Sequence, residues 1–269
     1  MKTIIFYTAP ILFFLFMAAC AKETANSSNI EIKTHNLEKH TGDCEDGNSG
    51  NCAKIKLQYI EVVYPSNPLV QDKINSQIKS EMLTPIGSEK SNDDFEIMMQ
   101  NFLDQYVEFK AEIPDAYQQW ELERMIKDKY YDENILCCEF SEYSYLGGAH
   151  PNSFLRFSNF DLNSGNKINL SDILIEGYSE ELNTIAEPIF RREKELTSEE
   201  DLTEAGFWFD DNKFQINNNF AITGEGLIFY YNSYEITAYA FGPTKIIIPY
   251  KEIRKLLKPN IYLQKFIIE

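Results

Sequence analysis

What most constrains this chain is the order in which its two hydrophobic periods occur. KIKLQYIEVVYP, from Lys54, has the β-branched and aromatic content of a strand, and Pro65 ends it. PLVQDKINSQIKSEML follows at the helical period, with Val70, Ile74, Ile78 and Met82 at i, i+4 spacing. Ser91 starts a second helix, with Asp94 three residues on in a near capping box. Phe95, Met99, Phe102, Tyr106 and Phe109 stripe one face of it, the pattern of a core-facing helix. The strand period then returns in QQWELERMIKDKYY and ILCCEFSEYSYL, joined by the polar DEN, and in FLRFSNFDL beyond the loop GGAHPN. NSGNK is a turn in which Gly165 is free to take positive φ. Ser171 caps a short helix over DIL, and Ser179 caps YSEELNTIAEPIFRREKEL, where Pro188 argues against one unbroken helix. FQINNNFAI, LIFYYNSYEITAYA and KIIIPY read as strands, and KEIRKLLK as a closing helix. Helices fall between groups of strands rather than alternating with them. This order predicts an α+β fold: a largely antiparallel sheet with helices packed on it, in two consecutive sub-domains (54–158 and 159–269) of one compact body.

The first twenty residues, MKTIIFYTAPILFFLFMAAC, set the expected compartment. Lys2 is a short basic region, Ile4 to Phe16 an apolar one, and Met17-Ala18-Ala19 precedes Cys20 as in a bacterial lipobox. The run is too short to span a bilayer and carries a cleavage signature. The expectation is a lipoprotein signal peptide over 1–19 and a lipid-modified Cys20, anchoring the chain in the envelope, with the outer membrane favoured by Ala21-Lys22-Glu23. Residues 20–53 are polar and read as a flexible tether behind that anchor. The formal charge is −17, or −18 without the leader's Lys2. So acidic a chain disfavours nucleic acid and anionic lipid, and attracts basic partners.

Cys44 and Cys52 bracket the turn-rich EDGNSGN, where a disulfide would close a small loop in an oxidising compartment. Cys137 and Cys138 are neighbours on a strand, so their side chains point to opposite faces and at least one is a small buried apolar group. His35 and His40 lie in the tether, which leaves His150 alone in the body. No metal site and no cofactor are expected.

In the loop Gly147-Gly148-Ala149-His150, adjacent glycines permit positive φ at a strand end, and His150 bonds to backbone across the turn. A catalytic reading makes His150 a general base oriented by Asp161 or Glu235, with Ser153 or Ser158 as nucleophile, but neither serine sits in a nucleophile elbow. Paired carboxylates among Glu139, Glu142 and Asp161 are the alternative acid and base of a hydrolase. Strand alternation would put Tyr231 and Tyr239 on one face and Tyr230 and Tyr234 on the other, one face being core and the other free to bind sugar or protein.

Two blocks carry a resemblance. The first runs through Tyr143, Tyr145, Gly147, Gly148, Ala149 and His150 to Asn159-Phe160-Asp161-Leu162, Gly165 and Leu170-Ser171-Asp172. The second runs through Gly226, Leu227, Phe229, Tyr231-Asn232, Tyr234-Glu235-Ile236 and Ala238-Tyr239 to Gly242 and Ile248-Pro249-Tyr250. Together they resemble the paired extracytoplasmic domain of uncertain function found in the lysozyme-sensing anti-sigma factor RsiV and the peptidoglycan deacetylase PdaC. The likeness covers about Lys54 to Pro259, with 54–158 the PdaC-like half and 159–269 the RsiV-like half. Pro151 departs from it, standing where the family more often has glycine. The resemblance implies a non-enzymatic module, because in the deacetylase relatives the chemistry belongs to a separate domain with paired aspartates and a His-x-x-x-His motif. Asp210-Asp211 has no histidine pair beside it. The expected function is a lipid-anchored envelope protein that binds a protein or cell-wall ligand, a lysozyme-like muramidase being the named candidate. The alternatives are an envelope hydrolase or a purely structural lipoprotein.

Overall fold

A computed structural model describes residues 30–44, 51–64, 66–88, 90–92, 94–259 and 262–267. The leader, Cys20 and the first ten residues of the expected tether lie outside these. Within the expected tether, Glu31–Gly42 is strand β1, paired antiparallel with β2, Cys52–Val63. Its lack of aromatic residues hid it, but β1 is an edge strand with mostly exposed side chains, so it needs few apolar ones. A disulfide joins Cys44 to Cys52 across the end of this hairpin.

Helices α1 (Pro68–Leu83) and α2 (Phe95–Glu112) follow β2. Asn67 caps the first, and Asp94, rather than Ser91, caps the second through Ile97 N at 2.8 Å. This helical connection returns the chain parallel to β2 as β3 (Trp120–Tyr131), because a parallel pairing needs a long crossover. Strands β4 (Ile135–Tyr145) and β5 (Asn152–Asp161) then add antiparallel, giving the order β1-β2-β3-β4-β5. The buried residues of α1 and α2 pack with Ile55, Leu57, Ile126, Leu136 and Phe140 in one core. The expected boundary at 158/159 falls inside β5, so it divides a strand and not two bodies.

After β5 come a capped turn, helix α3 (Leu170–Ile173) and helix α4 (Tyr178–Glu193). Asn169 and Gly177 take the cap positions assigned to Ser171 and Ser179. Helix α4 runs unbroken through Pro188, since burial of Leu182, Ala186, Ile189 and Phe190 outweighs one missing hydrogen bond. Strands β6 (Phe220–Ile222), β7 (Leu227–Tyr231) and β8 (Thr244–Ile248) form a second antiparallel sheet, backed by a phenylalanine-rich core around Phe190, Phe207, Phe214 and Phe229. A small cluster of Cys137, Phe157, Ala221 and Ile228 packs where the two sheets meet.

The expected closing helix over KEIRKLLK is a series of i, i+3 turns. Its backbone pairs instead with the end of α3: Ile175 N donates to Leu256 O, and Lys258 N to Ile173 O. These bonds hold the segment in a bridge between Leu174 and Leu257. A short helix α5, Gln264–Ile267, ends the described chain.

Candidate functional site

The free edge of β5 faces β6, and asparagine side chains span the gap. Asn232 accepts from Leu155 N at 2.7 Å and donates to Leu155 O at 3.0 Å. Asn219 accepts from Phe157 N at 2.9 Å and donates to Leu155 O at 2.8 Å. Asn159 donates to Phe220 O and accepts from Ile222 N, both at 2.8 Å. Each amide acts as a short stretch of strand, satisfying backbone groups that would otherwise be costly. FQINNNFAI accordingly supplies only three strand residues: Asn219 serves the seam with its side chain, and Asn217 bonds Tyr230 O and Glu235.

At the end of this seam the chain places the GGAH loop against the segment after β7. β7 stops at Tyr231, contrary to the single strand expected over LIFYYNSYEITAYA. Asn232 to Glu235 form a turn, in which Glu235 accepts from Asn232 N at 2.8 Å and Tyr234 takes a φ of 67°. Tyr239 then opens a one-turn 3₁₀ helix. The turn destroys the strand alternation, so the expected pairing of Tyr231 with Tyr239 does not occur. Tyr231 is buried in the second core, its hydroxyl donating to Gln215 O at 2.6 Å. Tyr234 and Tyr239 come together at His150 instead.

The imidazole of His150 stacks on Tyr239 with ring centroids 3.8 Å apart. The Pro151 carbonyl can only accept, so Nδ1 of His150, 3.0 Å away, is the protonated nitrogen. Nε2 is hydrogen-bonded to the Tyr234 hydroxyl at 3.2 Å. The Tyr239 hydroxyl also donates to Pro151 O, at 3.0 Å. Both ring nitrogens of His150 thus have a partner within hydrogen-bond distance. Gly147, with φ 84°, makes the turn; Gly148 does not need a positive φ.

None of the candidate acids or nucleophiles meets this histidine. Asp161 caps its own turn through Asn163 N and Ser164 Oγ, and Glu235 is taken by Asn217 and Asn232. Ser158 is buried and donates to Glu81. Glu139 pairs with Lys129, and Glu142 with the buried Arg124. The register sets Glu139 opposite Phe157 and Asp161 opposite Ile135, so these carboxylates are not brought together. Among the described residues no group of three or more His, Cys, Asp or Glu is placed to hold a metal ion.

The surface is wider than the sequence suggested. Tyr234, Trp208 and Phe241 are each more than half exposed, at 53%, 55% and 56%. Trp208 N donates to Ile236 O, and the Phe241 ring lies beside Gly206, so both aromatics belong to the same bridged segments as the tyrosines. Periodicity could not find them because they sit on turns; their only signal was a large apolar residue beside turn-forming ones. His35, assigned to the tether, is also misplaced by that reading: on β1 it stacks on Tyr59 at 5.0 Å and bonds Glu61 at 2.8 Å.

This fold, with the GGAH loop linking β4 to β5 and resting on the segment after β7, is similar to proteins of the PdaC/DUF3298 domain type. Residues 47–153 match the family model described as "Deacetylase PdaC", and residues 171–251 the one described as "Protein of unknown function (DUF3298)". The aromatic cluster draws His150 from the first segment, and Tyr234 and Tyr239 from the second. The peptidoglycan-N-acetylmuramic acid deacetylase PdaC of Bacillus subtilis (strain 168) is 25% identical over 182 residues. These are 65% of this chain but 38% of that protein, so the chain spans well under half of its relative. A DUF3298 family member from Bacteroides fragilis NCTC 9343 superposes with a TM-score of 0.72 over 91% of this chain and 100% of its own, at 21% identity. Another from Pseudomonas aeruginosa PAO1 gives 0.66 over 87% and 96%, at 19% identity. At these identities the two structures show the fold alone.

Proposed function

We propose that this chain is a lipid-anchored module of the bacterial cell envelope that binds a protein or cell-wall ligand without chemistry. The observation that carries this reading is the state of His150. Both its nitrogens are committed to holding Tyr234 and the 150–151 turn, and its ring is stacked face to face on Tyr239. A general base is oriented by a carboxylate and set against a nucleophile, whereas the neighbours of His150 are a backbone carbonyl and two tyrosines. A binding platform needs rigid aromatic rings at the surface, which this arrangement supplies with little entropy left to lose. The likeness to an enzyme named for peptidoglycan supports an envelope setting. The formal charge of −17 favours a basic partner such as a lysozyme-like muramidase. The reading calls for no cofactor and no nucleic acid.

The test is a pull-down of the full chain with lysozyme across a salt series, beside the Tyr234→Ala variant. Binding that weakens with salt and with Tyr234→Ala is expected; no binding at the lowest salt removes lysozyme as the partner. The anchor is tested separately: Cys20→Ala should move the chain from the membrane to the soluble fraction and abolish acyl mass on the mature N-terminus.

A further inference from the structure

We propose that the cleft between the β1–β2 hairpin and helices α1 and α2 is a second binding site, which takes a lysine or arginine side chain of a basic polypeptide between Tyr59, Phe95 and Glu61. The cleft has a volume of about 540 Å³, within the range of sites that enclose a small group. Its apolar wall is a row of rings: His35 stacked on Tyr59 at 5.0 Å, and Tyr59 against Phe95 at 4.8 Å. Glu61, Asp94 and Glu96 line it as carboxylates, bonded to His35, to Ile97 N and to Lys39 in turn, and Lys79 is the one lysine of the lining among the described residues. With Lys79 and the Lys39 paired to Glu96 counted, the three carboxylates still leave one formal negative charge, so an entering cation is favoured over an anion and also gains the negative ring faces.

The site also holds a stand-in for its ligand. The ammonium of Lys79, carried on α1, lies 5.9 Å from the centroid of Phe95, within cation–π range. Lys79 is otherwise exposed, so it can swing into solvent when an external cation arrives. Position supports the assignment too. β1 forms one wall of the cleft, and it is clamped to the body by the Lys39–Glu96 ion pair and the Cys44–Cys52 bridge. The choice of a basic polypeptide rests on the function proposed above. The cleft itself is tested with small probes, so the two readings can fail separately.

The experiment is NMR titration of the full chain with N-acetyl-arginine amide and N-acetyl-lysine amide. N-acetyl-norleucine amide is the uncharged control and chitobiose the sugar control. The amides of His35, Tyr59, Glu61 and Phe95 should shift with the cationic probes and not with the controls. Phe95→Leu and Glu61→Gln should each weaken binding by roughly fivefold or more. Lys79→Met should tighten it severalfold, because the competing internal cation is gone. Thermal melts confirm that each variant is folded, and Glu61→Gln and Lys79→Met alter groups at the cleft rim rather than the core. Shifts with chitobiose alone, no shifts with either cation, or weaker binding in Lys79→Met would each overturn the proposal. Bound probes together with no lysozyme capture would leave the cleft standing and remove that partner.

Discussion

The ring of His150 lies parallel to that of Tyr239, 3.8 Å away and 16° from coplanar, across the join between the two family segments. Gly147 makes this contact possible, holding φ at 84° where an added Cβ would sit 2.7 Å from the Gln118 side chain. At Gly148 an added Cβ meets only His150 O, at 3.9 Å. The adjacent glycines should therefore behave differently. Gly147→Ala is expected to cost about 1–2 kcal/mol, and Gly148→Ala to stay within about 0.5 kcal/mol of the parent. His150→Ala should cost about 1 kcal/mol through the lost stack and turn contacts. Urea melts of the three variants check the order; an equal loss at both glycines would contradict the assignment of the turn to Gly147.

The elements that were legible are those whose own residues settle their conformation. PLVQDKINSQIKSEML is α1 from its first residue to its last, and DEN joins β3 to β4 as a short polar turn must. The two blocks that carried the family resemblance fall within or between the segments the family models match. What failed was decided by distant backbone. KEIRKLLK has the composition of a helix, but Leu256 O and Lys258 N are claimed by the tail of α3. Residues 31–42 look like a linker, since an edge strand with β2 behind it requires little hydrophobicity of its own. The site was half legible for a similar reason. His150, Tyr234 and Tyr239 could be named one by one, but their meeting depends on a turn after Tyr231 that strand alternation does not foresee.

Asn159 is the most enclosed of the three seam asparagines, at 3% exposure. Asn159→Leu keeps much of the volume but leaves Phe220 O and Ile222 N without their 2.8 Å partners. An unpaired buried group costs about 1–3 kcal/mol, so a loss of roughly 2–5 kcal/mol is expected. Asn159→Asp should also be destabilised at neutral pH, because it loses the donor to Phe220 O and buries a charge. Burial raises the pKa of such a carboxyl, so its neutral form is the stable one when folded. The deficit should therefore shrink as pH falls, when the protonated acid can donate to Phe220 O again. Chemical denaturation at two pH values measures both effects. A pH-independent deficit would mean that the Asp side chain has left the seam.

Cys137 and Cys138 lie on opposite faces of β4, and both are enclosed, at 0% and 2% exposure. Burial raises the thiol of Cys137 to about 12 and that of Cys138 well above its ordinary value. The thiolate is the reactive form, so neither should react with a thiol reagent at about pH 8 while the chain is folded. Labelling should begin only in denaturant and follow the unfolding transition. Rapid modification in the native chain, read by mass spectrometry of the labelled peptides, would show local opening, of the seam for Cys137 and of the α1–α2 core for Cys138.

Alkaline pH should unfold the chain from the side of its tyrosines. Burial raises the phenols of Tyr106, Tyr130, Tyr230, Tyr231 and Tyr250 above the ordinary value of 10.0. Burial alone would lower Lys265, but its hydrogen bonds to Asp132 and Tyr130 outweigh that, and its pKa is raised above 10.5. In every case the folded pKa exceeds the unfolded one, so the protonated form is favoured by the fold. Such a group contributes fully below its unfolded pKa and loses its contribution as pH rises through the folded value. Stability against these groups should thus be flat up to about pH 9 and fall from about pH 10 upward. Lys265 ties α5 to Asp132, so that helix should be among the first elements released. Absorbance at about 295 nm, which reports tyrosinate, should show the buried phenols ionising in one cooperative step together with the loss of near-ultraviolet circular dichroism. Smooth ionisation of all the tyrosines near their ordinary pKa, with the dichroism intact, would show that these rings are in contact with water.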